Sequence, residues 1–169
     1  FMHADEVAQI RYALQLAERF NLKMVIVGGM DAPLLAPLLK ARDIPVVIAG
    51  VHRLPLRRND LPESPFTVAA KLHEAGVKFA IARSGTAGDA ARDRSLPFEA
   101  GAAAAYGLPR DAALRSITLD AASILGVQDK LGSLEAGKLG SFIVTDGDPL
   151  EIRTNVERVD EAAAGQPQH

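Results

Sequence analysis

Cysteine is absent from the 169 residues, which excludes disulfides and thiolate metal sites and leaves histidine and carboxylates as the possible metal ligands. An excess of one charge sign is lacking too: 19 Lys and Arg stand against 21 Asp and Glu, a formal net charge of −2. With no long basic run either, the electrostatic footprint of a nucleic-acid binder is missing, and the Arg57-Arg58 pair is too short to supply it. No apolar run approaches the roughly 20 residues that cross a bilayer, and the chain does not open on the basic and apolar regions of a secretory signal. Neither a nucleic-acid nor a membrane partner is therefore expected. The first residue is Phe1 and not methionine, so the chain is expected to be a piece of a longer one.

What is present is a globular composition, 48% hydrophobic and 24% charged. In "ADEVAQIRYALQLAERF", Val7, Ile10, Leu14, Ala17 and Phe20 recur at helical spacing behind the acidic Asp5 and Glu6, which predicts an amphipathic helix. "LKMVIVGG" follows as an apolar run bounded by glycines, the pattern of a strand buried on both faces. The alternation continues with "DAPLLAPLLKAR" as a proline-bearing helix, "IPVVIAGV" as a strand, "SPFTVAAKLHEAG" as a helix and "VKFAIA" as a strand. Ser64 is expected to cap the third helix, with Pro65 at its first position and Gly76 after its last turn. Strands that alternate with helices imply parallel strands joined by crossovers.

From Ser95 the rhythm changes to two helices without an intervening strand, "SLPFEAGAAAAYG" and "PRDAALRSITLDAASILG". The α/β part is expected to close near Gly126, giving a first unit over 1–126. A β element then spans 127–159, with a short strand at Ser141 to Thr145 and a hairpin turn at Gly137-Lys138, and a frayed tail occupies 160–169. Asp146 and Asp148 in "TDGDPL" read as turn formers, and His73 as a cation favoured at a helix end.

Two loops invite a chemical reading. "IARSGTAGDAARD", residues 81–93, opens from a strand into Arg83, Ser84, two glycines and two aspartates; its backbone N–H groups could cradle an anion, though a glycine turn without ligand is the commoner use. "VHRLPLRRNDLPESP" is long and carries His52, Arg53, Arg57 and Arg58; His52 serves equally well as a substrate contact, as an acid or base, or as a solvated surface residue.

The segment "YGLPRDAALRSITLDAASILGVQDKLGSLEAGKLGSFIVTDGDPLE", residues 106–151, resembles the C-terminal signature of the amidohydrolase superfamily, in its imidazolonepropionase-like and prolidase-like branch. The resemblance rests on a "GLP..AL" helix start, a "T..AA.ILG" helix end, "GSLEAGK", and a strand followed by "DGDPL", in that order. It implies an α/β fold in which 1–126 is the C-terminal half of a (β/α)8 barrel, followed by part of a small β-sandwich, with the N-terminal half of the barrel missing. It also implies a divalent metal, zinc above all, that activates water against the C–N bond of a small amide or cyclic amide.

By the same resemblance His3 matches the fifth-strand histidine ligand, while Gly28 or Gly29 stands where a sixth-strand histidine belongs and Ser84 where an eighth-strand aspartate belongs. Asp89 and Asp93 could fold back to replace that carboxylate, but acids at a helix start are more often caps. His52, Arg83 and Ser84 are expected to position a small-molecule substrate at the mouth. The alternative is a noncatalytic, ligand-binding homologue. Half a parallel barrel leaves open strand edges, so the isolated chain is expected to be inactive and to self-associate.

Overall fold

In the computed structural model, residues 1–83 and 94–161 are described. The chain runs β1 (Met2–Ala4), α1 (Val7–Phe20), β2 (Ile26–Gly28), a 3₁₀ turn (Ala32–Leu35), α2 (Ala36–Ala41), β3 (Val46–Ala49), α3 (Ser64–Ala75) and β4 (Phe79–Ala82). It continues with α4 (Leu96–Ala105), α5 (Arg110–Ser116), α6 (Leu119–Leu125), β5 (Phe142–Thr145) and β6 (Val156–Asp160). The first four strands form one parallel sheet in the order β1-β2-β3-β4. Sequential parallel neighbours joined by crossovers are what the alternating pattern predicts. The sheet is open, not a closed barrel.

The register His3–Val27–Val47–Ala80 puts these residues in one row across the sheet. Neighbouring positions Ile26, Val46, Ile48, Phe79 and Ile81 point to the other face and are buried with Ile10 and Leu14 of α1 and Leu72 of α3. Burying each such side chain contributes about 1.5–3 kcal/mol, and this layer is the core of the chain. Val27, Val47 and Ala49 on the opposite face are only half-buried. The expectation that β2 is buried on both faces therefore holds for one face.

Several boundaries move for local reasons. α1 ends at Asn21, left-handed at φ 49°, whose N–H and that of Leu22 bond back to Glu18 and Ala17 carbonyls; Leu22 thus belongs to the helix end and the strand starts only at Ile26. The proline-bearing helix divides, because Pro33 and Pro37 lack N–H donors, into a 3₁₀ turn and α2. α3 starts one residue earlier than expected: Ser64 is its first helical residue and Glu63 stands at the cap, while Gly76 ends it at φ 69° as expected.

The helix expected from Pro109 to Gly126 breaks at Ile117-Thr118. There the Ser116 hydroxyl donates to the Ala113 carbonyl at 2.7 Å and the Thr118 hydroxyl to the Leu114 carbonyl at 2.8 Å, competing with the helical ladder. In the last part, β5 and β6 form an antiparallel pair with an irregularity between Val144 and Thr145. The strand β6 carries no clear sequence signal. Among the described residues no strand lies between α6 and Gly137-Lys138, so the expected hairpin there is instead a turn in which Lys138 donates to Ser133 Oγ at 2.6 Å and pairs with Glu135. Asp146 and Asp148 do form turns: Asp146 accepts from the Asn155 amide side chain and backbone N–H, and Asp148 from the Leu150 N–H.

Candidate active site at the strand ends

The C-terminal ends of β1 to β4 open into a cavity of about 650 Å³ whose wall includes His3, Asp5, Gly28, His52, Arg53, Arg83 and Glu99. Carboxyl ends of parallel strands are where α/β folds gather their chemistry, because loops of several strands converge there on a rigid base. The structure brings His3, His52 and Arg83 together in this wall. Ser84, Asp89 and Asp93 lie outside the described residues.

At the bottom of the wall Glu99, on the first turn of α4, is 2% exposed. Its Oε2 accepts the backbone N–H groups of Val51 at 2.6 Å and His52 at 2.9 Å, and lies 3.3 Å from His52 Nδ1. Its Oε1 accepts from Arg83 Nη1 at 2.5 Å. A buried carboxylate is tolerable only when so compensated, and this one joins the β3 exit, the β4 exit and α4 at a single point. No motif in the sequence marks Glu99 out. The available signal was a lone acid inside the otherwise apolar, alanine-rich "LPFEAGAAAA".

The His52 ring is further fixed by an edge-on contact with Phe66 at 5.7 Å, and Phe66 stacks on Tyr106 at 4.8 Å. Its side chain is nevertheless 51% exposed. A second carboxylate, Asp5, takes both guanidinium nitrogens of Arg53 at 3.1 and 3.3 Å and the Met30 N–H at 3.3 Å. A third, the buried Asp31, accepts the Val7 N–H at 3.0 Å and both nitrogens of Arg57. The Arg57 guanidinium holds the Asp31 carboxyl below the usual carboxylate range, aided by the Val7 N–H and against the cost of burial.

Among the described residues the donors do not fit a metal centre. His3 is the only metal-binding side chain among the fifth-, sixth- and eighth-strand positions that the resemblance marks out. At the sixth-strand position Gly28 has φ 105°, and a Cβ there would meet Asp5 Oδ1 at 2.7 Å, so an imidazole has no place. Asp5 itself is committed to Arg53. Among the described residues no three His, Cys, Asp or Glu side chains cluster so as to hold a metal ion. The slightly larger groove of about 730 Å³ under the opposite strand ends is spanned by Arg42–Glu18 and Lys78–Asp43 pairs and shows no comparable convergence.

Comparison with known proteins agrees with this architecture. Residues 10–165 match the model of the amidohydrolase family. The chain is 28% identical over 145 residues to an imidazolonepropionase from Mesorhizobium japonicum, covering 86% of this chain and 34% of that protein. It is 27% identical, again over 145 residues, to an imidazolonepropionase from Rhizorhabdus wittichii, covering 35% of it. The crystal structure of an amidohydrolase from Thermotoga maritima superposes with a TM-score of 0.84 at 29% identity, over 95% of this chain and 41% of the other. An adenosine deaminase from Xanthomonas campestris with bound zinc is 26% identical, with a TM-score of 0.58, over 85% of this chain and 35% of that one. This chain belongs to the amidohydrolase family. It spans about a third of the length of the curated relatives it matches.

Proposed function

We propose that this chain is the C-terminal half of a barrel hydrolase that cleaves the C–N bond of a small amide or cyclic amide, and that β5 and β6 begin a β-sandwich packed beside it. His3, His52, Arg83 and Ser84 belong to the mouth of that barrel and hold the substrate. The observation that carries this reading is the convergence of His3, His52 and Arg83, from three separate strand ends, on one polar cavity. Family membership and the imidazolonepropionase relatives support the bond class. The chain alone, lacking the strands that would close the cavity, is inactive and self-associates through its open sheet edges.

The family generally works with metals, but the donors among the described residues do not make a centre. That same misfit favours a second reading, in which the parent protein binds a small amide without turning it over. One experiment separates the two: the full-length parent is offered a panel of N-acyl amino acids and small lactams, with product release and saturable binding both measured. Product release that falls in His3→Ala supports the hydrolase. Saturable binding without release supports the second reading, and neither binding nor release refutes both.

A further inference from the structure

The buried Glu99 does more at the mouth than anchor a loop. Two backbone N–H groups, of Val51 and His52, already tie the β3 exit to its Oε2. The same oxygen also lies 3.3 Å from His52 Nδ1. Arg83 donates to the other oxygen, so both oxygens of Glu99 are engaged as acceptors. A bare Nδ1 would set its lone pair against Oε2, whereas a proton there faces an acceptor, and in the neutral imidazole with that proton the lone pair is on Nε2. Phe66 packs edge-on against the ring and limits its rotation. Half of the side chain remains open, at the cavity shared with Arg83 and His3.

We infer that Glu99 is a positioning residue that holds His52 as its Nδ1–H tautomer, and that His52 Nε2 is the proton acceptor of the mouth. The inference rests on the hydrolytic reading only for what the acceptor does. In that setting the Nε2 lone pair takes a proton from water as the water O–H bond breaks and the oxygen's electron pair bonds to the amide carbon. The proton then passes to the departing nitrogen as the C–N bond breaks, which returns the imidazole to its starting state. The ionised Glu99 stabilises the imidazolium between those two transfers, the arrangement that an orienting carboxylate gives a histidine base.

The first test needs no activity. Nitrogen-15 NMR of the histidine-labelled chain, at a pH where imidazoles are neutral, reads the tautomer of His52 directly. The expected signature is a protonated Nδ1 and a bare Nε2 in the native chain, lost or mixed in Glu99→Gln. A His52 resonance pair with the proton on Nε2 overturns the inference. Should Glu99→Gln not fold, Glu99→Asp replaces it: the shorter side chain withdraws the carboxylate from Nδ1, and an unchanged His52 signature there overturns the positioning role of Glu99.

The second test uses the full-length parent and whichever amide of the panel it cleaves. His52→Asn is expected to lower kcat by about 10²–10⁴-fold, with an unaltered melting curve. Unchanged turnover in that variant overturns the acceptor role. If the parent cleaves no amide, the hydrolytic reading fails together with the proton transfer, whereas the tautomer held by Glu99 stands or falls by the NMR result alone.

Discussion

Replacing Gly28 by alanine, alone and together with Asp5→Ala, measures how tightly the end of β2 is closed. Gly28 has φ 105°, a region that a residue with a Cβ occupies at a cost of about 1–3 kcal/mol. The new methyl would also stand 2.7 Å from Asp5 Oδ1 and 3.0 Å from its Cγ. Asp5 cannot swing aside without giving up Arg53 and the Met30 N–H, bonds worth about 0.5–1.5 kcal/mol each. Gly28→Ala is therefore expected to cost about 2–4 kcal/mol in all. Asp5→Ala alone is expected to cost about 1 kcal/mol, since its pair with Arg53 is partly exposed. In the double variant the collision is gone and only the backbone cost of Gly28→Ala remains, so the double variant is more stable than the two single losses predict by about 1–2 kcal/mol. Urea unfolding followed by circular dichroism on the four proteins gives each term. A single Gly28→Ala loss below about 0.5 kcal/mol, or additivity of the two changes within about 0.5 kcal/mol, would refute the account.

Glu99→Ala removes the carboxylate from Arg83 and strips the Val51 and His52 N–H groups of their acceptor, so a loss of about 3–5 kcal/mol is expected, against less for Glu99→Gln, again by urea unfolding. The Asp31 carboxyl is held below its unfolded value, so its contribution is complete above the ordinary aspartate value of 3.8 and is lost as pH falls through the lowered folded value. Asp31→Asn should accordingly destabilise the chain near neutrality and make the acid limb of a stability-versus-pH curve shallower; an unchanged acid limb would contradict this. Arg110 at the start of α5 bonds to both Asp148 and Glu151 in the turn after β5. Arg110→Ala should speed amide exchange around Leu150 while leaving Ile26 as protected as before, and equal acceleration at both would show that the turn does not open on its own.

The parallel α/β order was legible because each apolar run of β2, β3 and β4 lies between helical patterns, and a run that must bury one face against those helices announces itself by composition. β1 is only three residues long, and the two valines of β6 stand three positions apart, both exposed, so neither run carries that contrast. The mouth was legible in part. His3, His52 and Arg83 stand beside strand ends, and position alone marked them. Glu99 comes from a helix a further 16 residues beyond Arg83, and only folding shows that its carboxylate reaches back across β3 and β4. The unbroken last helix failed because the Ser116 and Thr118 hydroxyls bond to nearby carbonyls, a choice that their surroundings make, while the Ser64 cap missed by one residue, with Glu63 at the cap.

The loop after β3 shows why residue type misleads there. Its length, three leucines and paired arginines describe a surface segment, the ordinary meaning of such composition. In the structure it is fastened to three different elements. Glu99 of α4 binds the N–H groups of Val51 and His52, Asp5 after β1 binds Arg53, and Asp31 after β2 binds Arg57. Each carboxylate belongs to a different part of the chain, so the three attachments resist sliding as well as lifting of the loop. One ion pair of this kind at a surface is worth little, but two of them and the N–H bonds to Glu99, sharing one short segment, repay its ordering once and restrain everything between them. His52 lies inside that span, which is how an imidazole can be half exposed and still be aimed.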